Sequence, residues 1–222
     1  MPAPVLVVTG LEFEAAIAAG PGVRVLCGQG GRLAGQLDDW LARHPCAGLA
    51  SFGTAGGLRD GLRPGDWIVA GAVIEDGHRM PCDESWAEAL RQALPGAAAA
   101  DIAAVTAPVA TARAKRALHT ATGAQAADME SQIVARAAQA RGLPFVCCRV
   151  VIDPVERDLP PAALTGTRAD GSVDIKAVLR SLAAHPGQLP GLLAVGRDAG
   201  KARRALKQGR AQIGLRFART DA

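Results

Sequence analysis

The chain has 222 residues, of which 49% are hydrophobic and 21% charged, with a formal net charge of +4, the composition of a folded globular protein rather than a disordered one. It holds four Phe, three Trp and no Tyr, too few rings for a protein that binds nucleic acid by stacking bases on aromatics. Cys27, Cys46, Cys82, Cys147 and Cys148 form no Cys-x-x-Cys pair and lie near no His cluster, which argues against zinc, while an odd count without a signal peptide fits a reducing cytosol, and no apolar run approaches the ~18–20 residues that span a bilayer.

In chain order, the apolar run at residues 5–8 predicts a first strand and residues 12–19 a helix. Residues 23–27 predict a second strand, 33–43 a helix, and 47–52 a third strand that ends at Gly53-Thr54-Ala55-Gly56-Gly57. Residues 67–74 form a long β-like run and 86–94 a helix. A short strand at 102–105, a helix at 112–120, a strand near 124–128 and a helix at 131–141 follow. Residues 145–152, rich in Val, predict the last strand. From Asp174 onward the pattern is helical, with breaks expected at Pro186 and Pro190. Strands alternating with helices predict one α/β unit with helices on both faces of its sheet. The segment 153–174, with Pro154, Pro160, Pro161, Gly166 and Gly171, is longer than an ordinary connection and reads as a lid or binding loop.

Chemistry-bearing residues fall at strand ends, the edge at which open α/β sheets bind ligands. Glu12 and Glu14 follow the first strand among apolar neighbours. This suits a general base of raised pKa, and equally a pair of acids on a helix N-terminus. Gly28-Gln29-Gly30-Gly31 lacks the third glycine of a dinucleotide fingerprint, since position 33 is Leu, so a nicotinamide cofactor is rejected. Gly53 to Leu58 is a small-residue turn with one hydroxyl, Thr54, and no Walker lysine. Asp128-Met129-Glu130 and Arg149 to Asp153 end the later strands. Asp153 leaves an apolar strand and precedes Pro154, which reads as a partly desolvated acid or as a turn-initiating Asp-Pro. Lys201, Arg203, Arg204, Lys207, Arg210, Arg216 and Arg219 crowd the C-terminus. They form a solvated helix face, a surface for anionic lipid, or, as a third choice, a nucleic-acid contact.

These features, in this order, resemble the nucleoside phosphorylase and nucleosidase superfamily. Thr9 to Glu14 is similar to the family's Gly-Ala-Met-Glu-Glu-Glu. Gly53-Thr54-Ala55-Gly56-Gly57-Leu58 is similar to Gly-Ser-Ala-Gly-Gly-Leu and is followed by the matching Gly65-Asp66 turn. Asp128-Met129-Glu130-Ser131 is similar to Asp-Met-Glu-Gly, and Arg149 to Asp153 to Arg-x-x-Ser-Asp. Val8 to Ala15, the Asp-Met-Glu-Ser variant and Leu159-Pro160-Pro161-Ala162-Ala163 look most like the hopanoid-associated phosphorylases, also described as adenosylhopane-cleaving nucleosidases.

The resemblance implies a three-layer α/β sandwich with a mixed central sheet, in a single domain over 1–222 with a helical basic segment from about 174. It implies cleavage of an adenine nucleoside, with no metal or cofactor. Asp153 would protonate purine N7, Glu14 would activate water, and Glu130 would accept the ribose hydroxyls. Met129 would pack on sugar and base, with Thr54, Gly56, Gly57 and Asp128 completing the substrate site. Phosphate as nucleophile remains open. A cytoplasmic homodimer, with a possible peripheral contact at the inner face of the membrane, is expected. Two positions depart from the family: Ile152 replaces the serine before the catalytic aspartate, and Ser51 stands where the trimeric phosphorylases carry an arginine. The alternatives are a methylthioadenosine/S-adenosylhomocysteine nucleosidase and a non-catalytic nucleoside-binding protein.

Overall fold

The computed structural model describes residues 3–164, 171–172 and 174–219. Eight strands form one mixed sheet: β1 (Val5–Thr9), β2 (Val23–Cys27), β3 (Gly48–Gly57), β4 (Trp67–Glu75), β5 (His78–Pro81), β6 (Ala98–Ala104), β7 (Ala126–Asp128) and β8 (Phe145–Asp153). The helices are α1 (Glu12–Ala18), α2 (Gly30–Arg43), α3 (Glu84–Ala93), α4 (Ala112–Thr122), α5 (Ser131–Arg141), α6 (Pro161–Leu164), α7 (Ile175–Ala184) and α8 (Leu189–Ile213). The sheet runs β2-β1-β3-β7-β6-β4-β5, and β8 pairs with both β3 and β4. The pairings β3–β8, β8–β4, β4–β6, β6–β7 and β7–β3 therefore close a ring.

The period of two along each strand divides the core between two faces. On β1, Leu6 and Val8 join α2 and α5 through Leu33, Leu37, Ile133 and Val134, while Val5 and Val7 face Trp86, Leu90, Ala202 and Leu206 of α3 and α8. The expected sandwich, a mixed sheet between helical layers, is the observed one.

Several local expectations need correction. β3 does not end at Phe52: it continues through the glycines to Gly57, because β8 pairs with it as far as Gly56 and β7 takes Gly56 and Gly57. Extended glycines are stabilised there by partners on both sides, which overrides their preference for turns. Helix α2 begins at Gly30 rather than at 33, so Gln29 is its N-cap residue and Gly30-Gly31 opens its first turn. Pro190 does not break the tail. It sits in the first turn of α8, where its missing N–H needs no partner. The break at Pro186 is a 3₁₀ turn, Pro186–Gln188. The sequence pattern does not predict strand β5, and the inner strand β6, held between β4 and β7, begins before residue 102, in an alanine run that periodicity alone does not distinguish from helix.

Much of the basic C-terminal run serves to seat α8 and the turn after it. Arg210 donates from Nε to Ala18 O (2.9 Å) and from Nη1 to Gly214 O (2.7 Å), and its guanidinium lies over the Phe217 ring. Arg203 lies over Phe13 and Arg219 over Trp86. No helix among the described residues is long and apolar enough to cross a membrane.

Candidate active site

A cleft of about 240 Å³ opens at the ends of β1, β3, β7 and β8, between α4, α6 and α8. Its lining includes Glu14, Thr54, Gly56, Asp128, Met129, Glu130 and Asp153. Of the residues expected to catalyse or to bind substrate, Gly57 alone does not line it. A side chain on Gly57 would point at Asp153 O and Val151 instead. Glu12 lies outside the lining and its backbone N–H donates to Gly171 O (3.2 Å), so the far end of the 153–174 segment is fastened to the β1–α1 turn. Gly166, which that segment also includes, lies outside the described residues.

Glu14 occupies the first turn of α1 and is almost fully buried. Its Oε2 accepts from the N–H groups of Gly10 (3.2 Å) and Leu11 (3.1 Å), and its Oε1 accepts from Thr54 N and Thr54 Oγ1, both at 2.8 Å. Burial pushes its pKa up. The positive charge of Arg149 and the bonds from Thr54 and Leu11 pull it down without cancelling the rise. Gly53 makes room for this arrangement: at φ +152° it lies so close that a Cβ would come 2.5 Å from Glu14 Oε2 and 2.7 Å from Arg149 Nη1.

Glu130 stands at the start of α5, with its carboxylate against Gly10, where a Cβ would meet Glu130 Cδ at 2.6 Å. Burial raises its pKa to about 8. Arg149 opposes that rise, and the carboxylates of Asp128 and Glu14 add to it. Asp128 lines the cleft, but its oxygens are committed to the protein. Oδ1 accepts from Ser131 N (3.2 Å) and Ser131 Oγ (2.5 Å), and Oδ2 is ion-paired with Arg149 Nη2 at 2.5 Å.

Arg149, on β8 and wholly buried, is the hub of this acidic group. Its Nη2 donates to Ser51 Oγ (2.7 Å) and lies 3.8 Å from Glu130 Oε2. Burial works against its charge, but Asp128, Glu130 and Glu14 outweigh burial and hold it cationic. Ser51 therefore has its own use as the acceptor for Arg149. Arg79 is paired with Asp101 at the surface, and neither Arg79 nor Arg113 lines the cleft, so neither is placed to hold a phosphate there.

Asp153 ends β8 opposite Gly56 of β3, after a bulge between Ala55 and Gly56. Its Oδ2 accepts from Lys115 Nζ, which also donates to Pro154 O (3.0 Å) and Arg157 O (2.9 Å). Burial raises the Asp153 pKa, Lys115 and Arg157 lower it, and Asp198 raises it again, leaving it above an ordinary aspartate. Lys115 is the site residue that sequence reasoning missed: between Arg113 and Arg116 on a polar helix, it reads as solvated. Among the described residues, no cluster of His, Cys, Asp or Glu forms a metal-binding set.

The sequence profile described as the Phosphorylase superfamily matches residues 9–184. A search of the curated proteins finds no match. Among solved structures, the chain is similar to the S-adenosylhomocysteine nucleosidase from Streptococcus pyogenes in complex with 5-methylthiotubericidin. That match has a TM-score of 0.62 and 16% identity, covering 94% of this chain and 98% of that one. The 5′-methylthioadenosine/S-adenosylhomocysteine nucleosidase of Campylobacter jejuni gives a TM-score of 0.62 at 13% identity, with 93% and 100% covered. The futalosine hydrolase of Helicobacter pylori strain 26695 gives 0.62 at 16% identity, with 69% and 88% covered. At such identities the likeness is one of fold.

Proposed function

Because the chain belongs to the phosphorylase superfamily, we propose that its acidic cleft cleaves the N-glycosidic bond of an adenine nucleoside. The observation that carries this reading is that two buried carboxyls of raised pKa, Glu14 and Asp153, line one cleft together with Glu130. Breaking the bond sends its electron pair to the departing base and leaves positive charge on the ribose, and catalysis requires both to be stabilised in the transition state. In this reading Asp153 gives its proton to the base at N7. Glu130 as carboxylate accepts the ribose 2′- and 3′-hydroxyls and faces the developing cation. Met129 packs on sugar and base, Thr54 holds Glu14, and Gly56 lets the ligand approach the strand. Glu14 takes the proton from the water that attacks C1′, and the products are free adenine and a ribose derivative. The chain works as one nucleoside phosphorylase-like domain.

Water is favoured over phosphate. Arg149 does not line the cleft and is already paired with Asp128 and bonded to Ser51, and Lys115, which does line it, spends its donors on Asp153, Pro154 and Arg157, so among the described residues no lining cation is left to hold an anion. A group with a large apolar 5′ extension, adenosylhopane in hopanoid biosynthesis, is the favoured substrate. Ile152, Leu159, Ala163, Leu164 and Val195 give the cleft an apolar wall, and Leu189, Leu193, Ile175 and Leu179 lie exposed on α7 and α8. Those exposed side chains also support a peripheral membrane contact at the inner face, or the interface of a homodimer. The second reading is methylthioadenosine or S-adenosylhomocysteine as substrate.

The test is to incubate the protein with adenosylhopane and, separately, with methylthioadenosine, each with and without phosphate, and to follow adenine by chromatography. Adenine from adenosylhopane alone, with a sugar product lacking phosphate by mass, is expected. Adenine from methylthioadenosine alone moves the protein to the second reading. No adenine from either, with adenine still bound, leaves a non-catalytic nucleoside-binding protein. Flotation with anionic vesicles and light scattering test the membrane contact and the dimer.

A further inference from the structure

A carboxylic acid that protonates a leaving group does two things: it points one oxygen at the group, and it bears the charge that remains after the proton has gone. The family's serine that would assist the aspartate is Ile152 in this chain, and its side chain has no polar atom to offer. The structure has a different partner in the same cleft. Lys115 comes from α4, 38 residues away in sequence, and is 1% exposed. Its three donors are all used, on Asp153 Oδ2, Pro154 O and Arg157 O. It has none left for a substrate, so any effect on chemistry passes through Asp153. The whole carboxyl stands at Gly56, where a Cβ would lie 3.4 Å from Oδ1 and 3.6 Å from Oδ2, and Gly56 lines the cleft; with Oδ2 gripped by Lys115, Oδ1 is the oxygen that faces no ammonium there.

We infer that Lys115 is a positioning residue: its ammonium fixes Asp153 with Oδ1 toward the base and stabilises the carboxylate left when that oxygen gives up its proton. This rests on the reading of Asp153 as the acid. In the step, the Oδ1–H bond breaks and a base N–H bond forms. The glycosidic pair goes to the base, and the new negative charge on Asp153 faces a cation already in place, so no group has to reorganise. Among the described residues, the charged side chains that act on Asp153 are Lys115 from α4, Arg157 from the segment after β8, and Asp198 from α8. Arg157 Nη2 is itself paired with Asp198 Oδ2 at 2.8 Å, which leaves Lys115 as the cation in direct contact.

The test compares two leaving groups. One is the adenine of whichever nucleoside the unaltered protein cleaves, and the other is 4-nitrophenolate on a riboside with the same 5′ group, which departs without a proton. Lys115→Met is expected to lower kcat for adenine release about 100-fold, while 4-nitrophenol release stays within about threefold. The Asp153 limb of the pH profile, where activity is lost as the acid ionises, should move about 1–3 pH units upward, since removing a neighbouring cation raises a carboxyl pKa. In an Asp153→Asn background, Lys115→Met should add no further loss. Lys115→Gln, which keeps donors for the Pro154 and Arg157 carbonyls without the charge, gives the same readings should the Met variant not fold. Equal loss on both leaving groups with an unmoved limb would overturn the role of Lys115. Absence of adenine release by the unaltered protein would instead sink the proposed function.

Discussion

Thr54 is bonded twice to Glu14 across a separation of 40 residues: its backbone N–H and its hydroxyl both donate to the same carboxylate oxygen at 2.8 Å. The two donors differ in what a substitution can remove. Thr54→Val keeps the backbone bond and loses the hydroxyl, which is one of the contacts that hold the Glu14 pKa down. A base must be ionised to act, so the acidic limb of kcat/KM should move to higher pH. Activity at pH 6 should fall about tenfold, in proportion to one lost charge-assisted bond. Thr54→Ser should retain the original profile.

Gly10 admits the Glu130 carboxylate to a position that a methyl group would occupy, 2.6 Å from Cδ. Gly10→Ala should therefore displace Glu130 and weaken sugar binding. The expected result is a KM raised tenfold or more, about 1.4 kcal/mol, with a smaller change in kcat, measured by steady-state kinetics on adenine release.

Glu130 carries a pH signature in binding and in stability. Its pKa is raised by burial from 4.5 to about 8, yet accepting two hydroxyls calls for the carboxylate. Binding of an uncleavable C-nucleoside should tighten with rising pH, by up to about tenfold per unit below that pKa, and Glu130→Gln should remove the trend. Without ligand the sign is opposite. Between pH 4.5 and 8 the folded chain holds a proton at Glu130 that the unfolded chain does not. This contribution to stability is complete below the unfolded pKa and is lost as pH rises through the folded one. Glu14 and Asp153 are shifted in the same direction. Urea midpoints should be lower at pH 8.5 than at pH 5.5, and the difference should shrink in Glu130→Gln.

Asp153→Asn removes the acid and strands a buried ammonium. Adenine release should fall by roughly 10²–10⁴. Stability should fall by about 3 kcal/mol, the usual consequence of leaving one member of a buried pair uncompensated. Thermal unfolding of Asp153→Asn against Asp153→Asn/Lys115→Met checks the second point: the double variant should melt higher.

The alternation of apolar runs with helical stretches marks the strand that carries Asp153 and the strands that lead into Glu14, Thr54 and Glu130, because strands buried on both faces leave an unmistakable Val-rich record, as at 5–8 and 145–152. What stayed hidden depends on partners distant in sequence. The glycines 53–57 look like a turn until β7 and β8 are in place beside them. Lys115 looks like one more surface cation until Asp153, Pro154 and Arg157 enclose it. Arg149 sits at a strand position whose neighbours all point into the core, and only Asp128, Ser51 and Glu130 account for a guanidinium there.

The ring that β3, β8, β4, β6 and β7 close has a bearing on how such a protein changes its substrate. Thr54, Asp128 and Asp153 all hang from strands of that ring. Their spacing is a fixed gauge, which no strand can shift without breaking ladders on both of its sides. Variation in what the cleft accepts is thereby channelled outward, to Pro108 and Val109 before α4, to Ala163 and Leu164 of α6 and to Val195 of α8, which wall the cleft without belonging to any ladder. Exchanges there would retune the accommodation of the 5′ group while the distances that govern bond cleavage stay as they are.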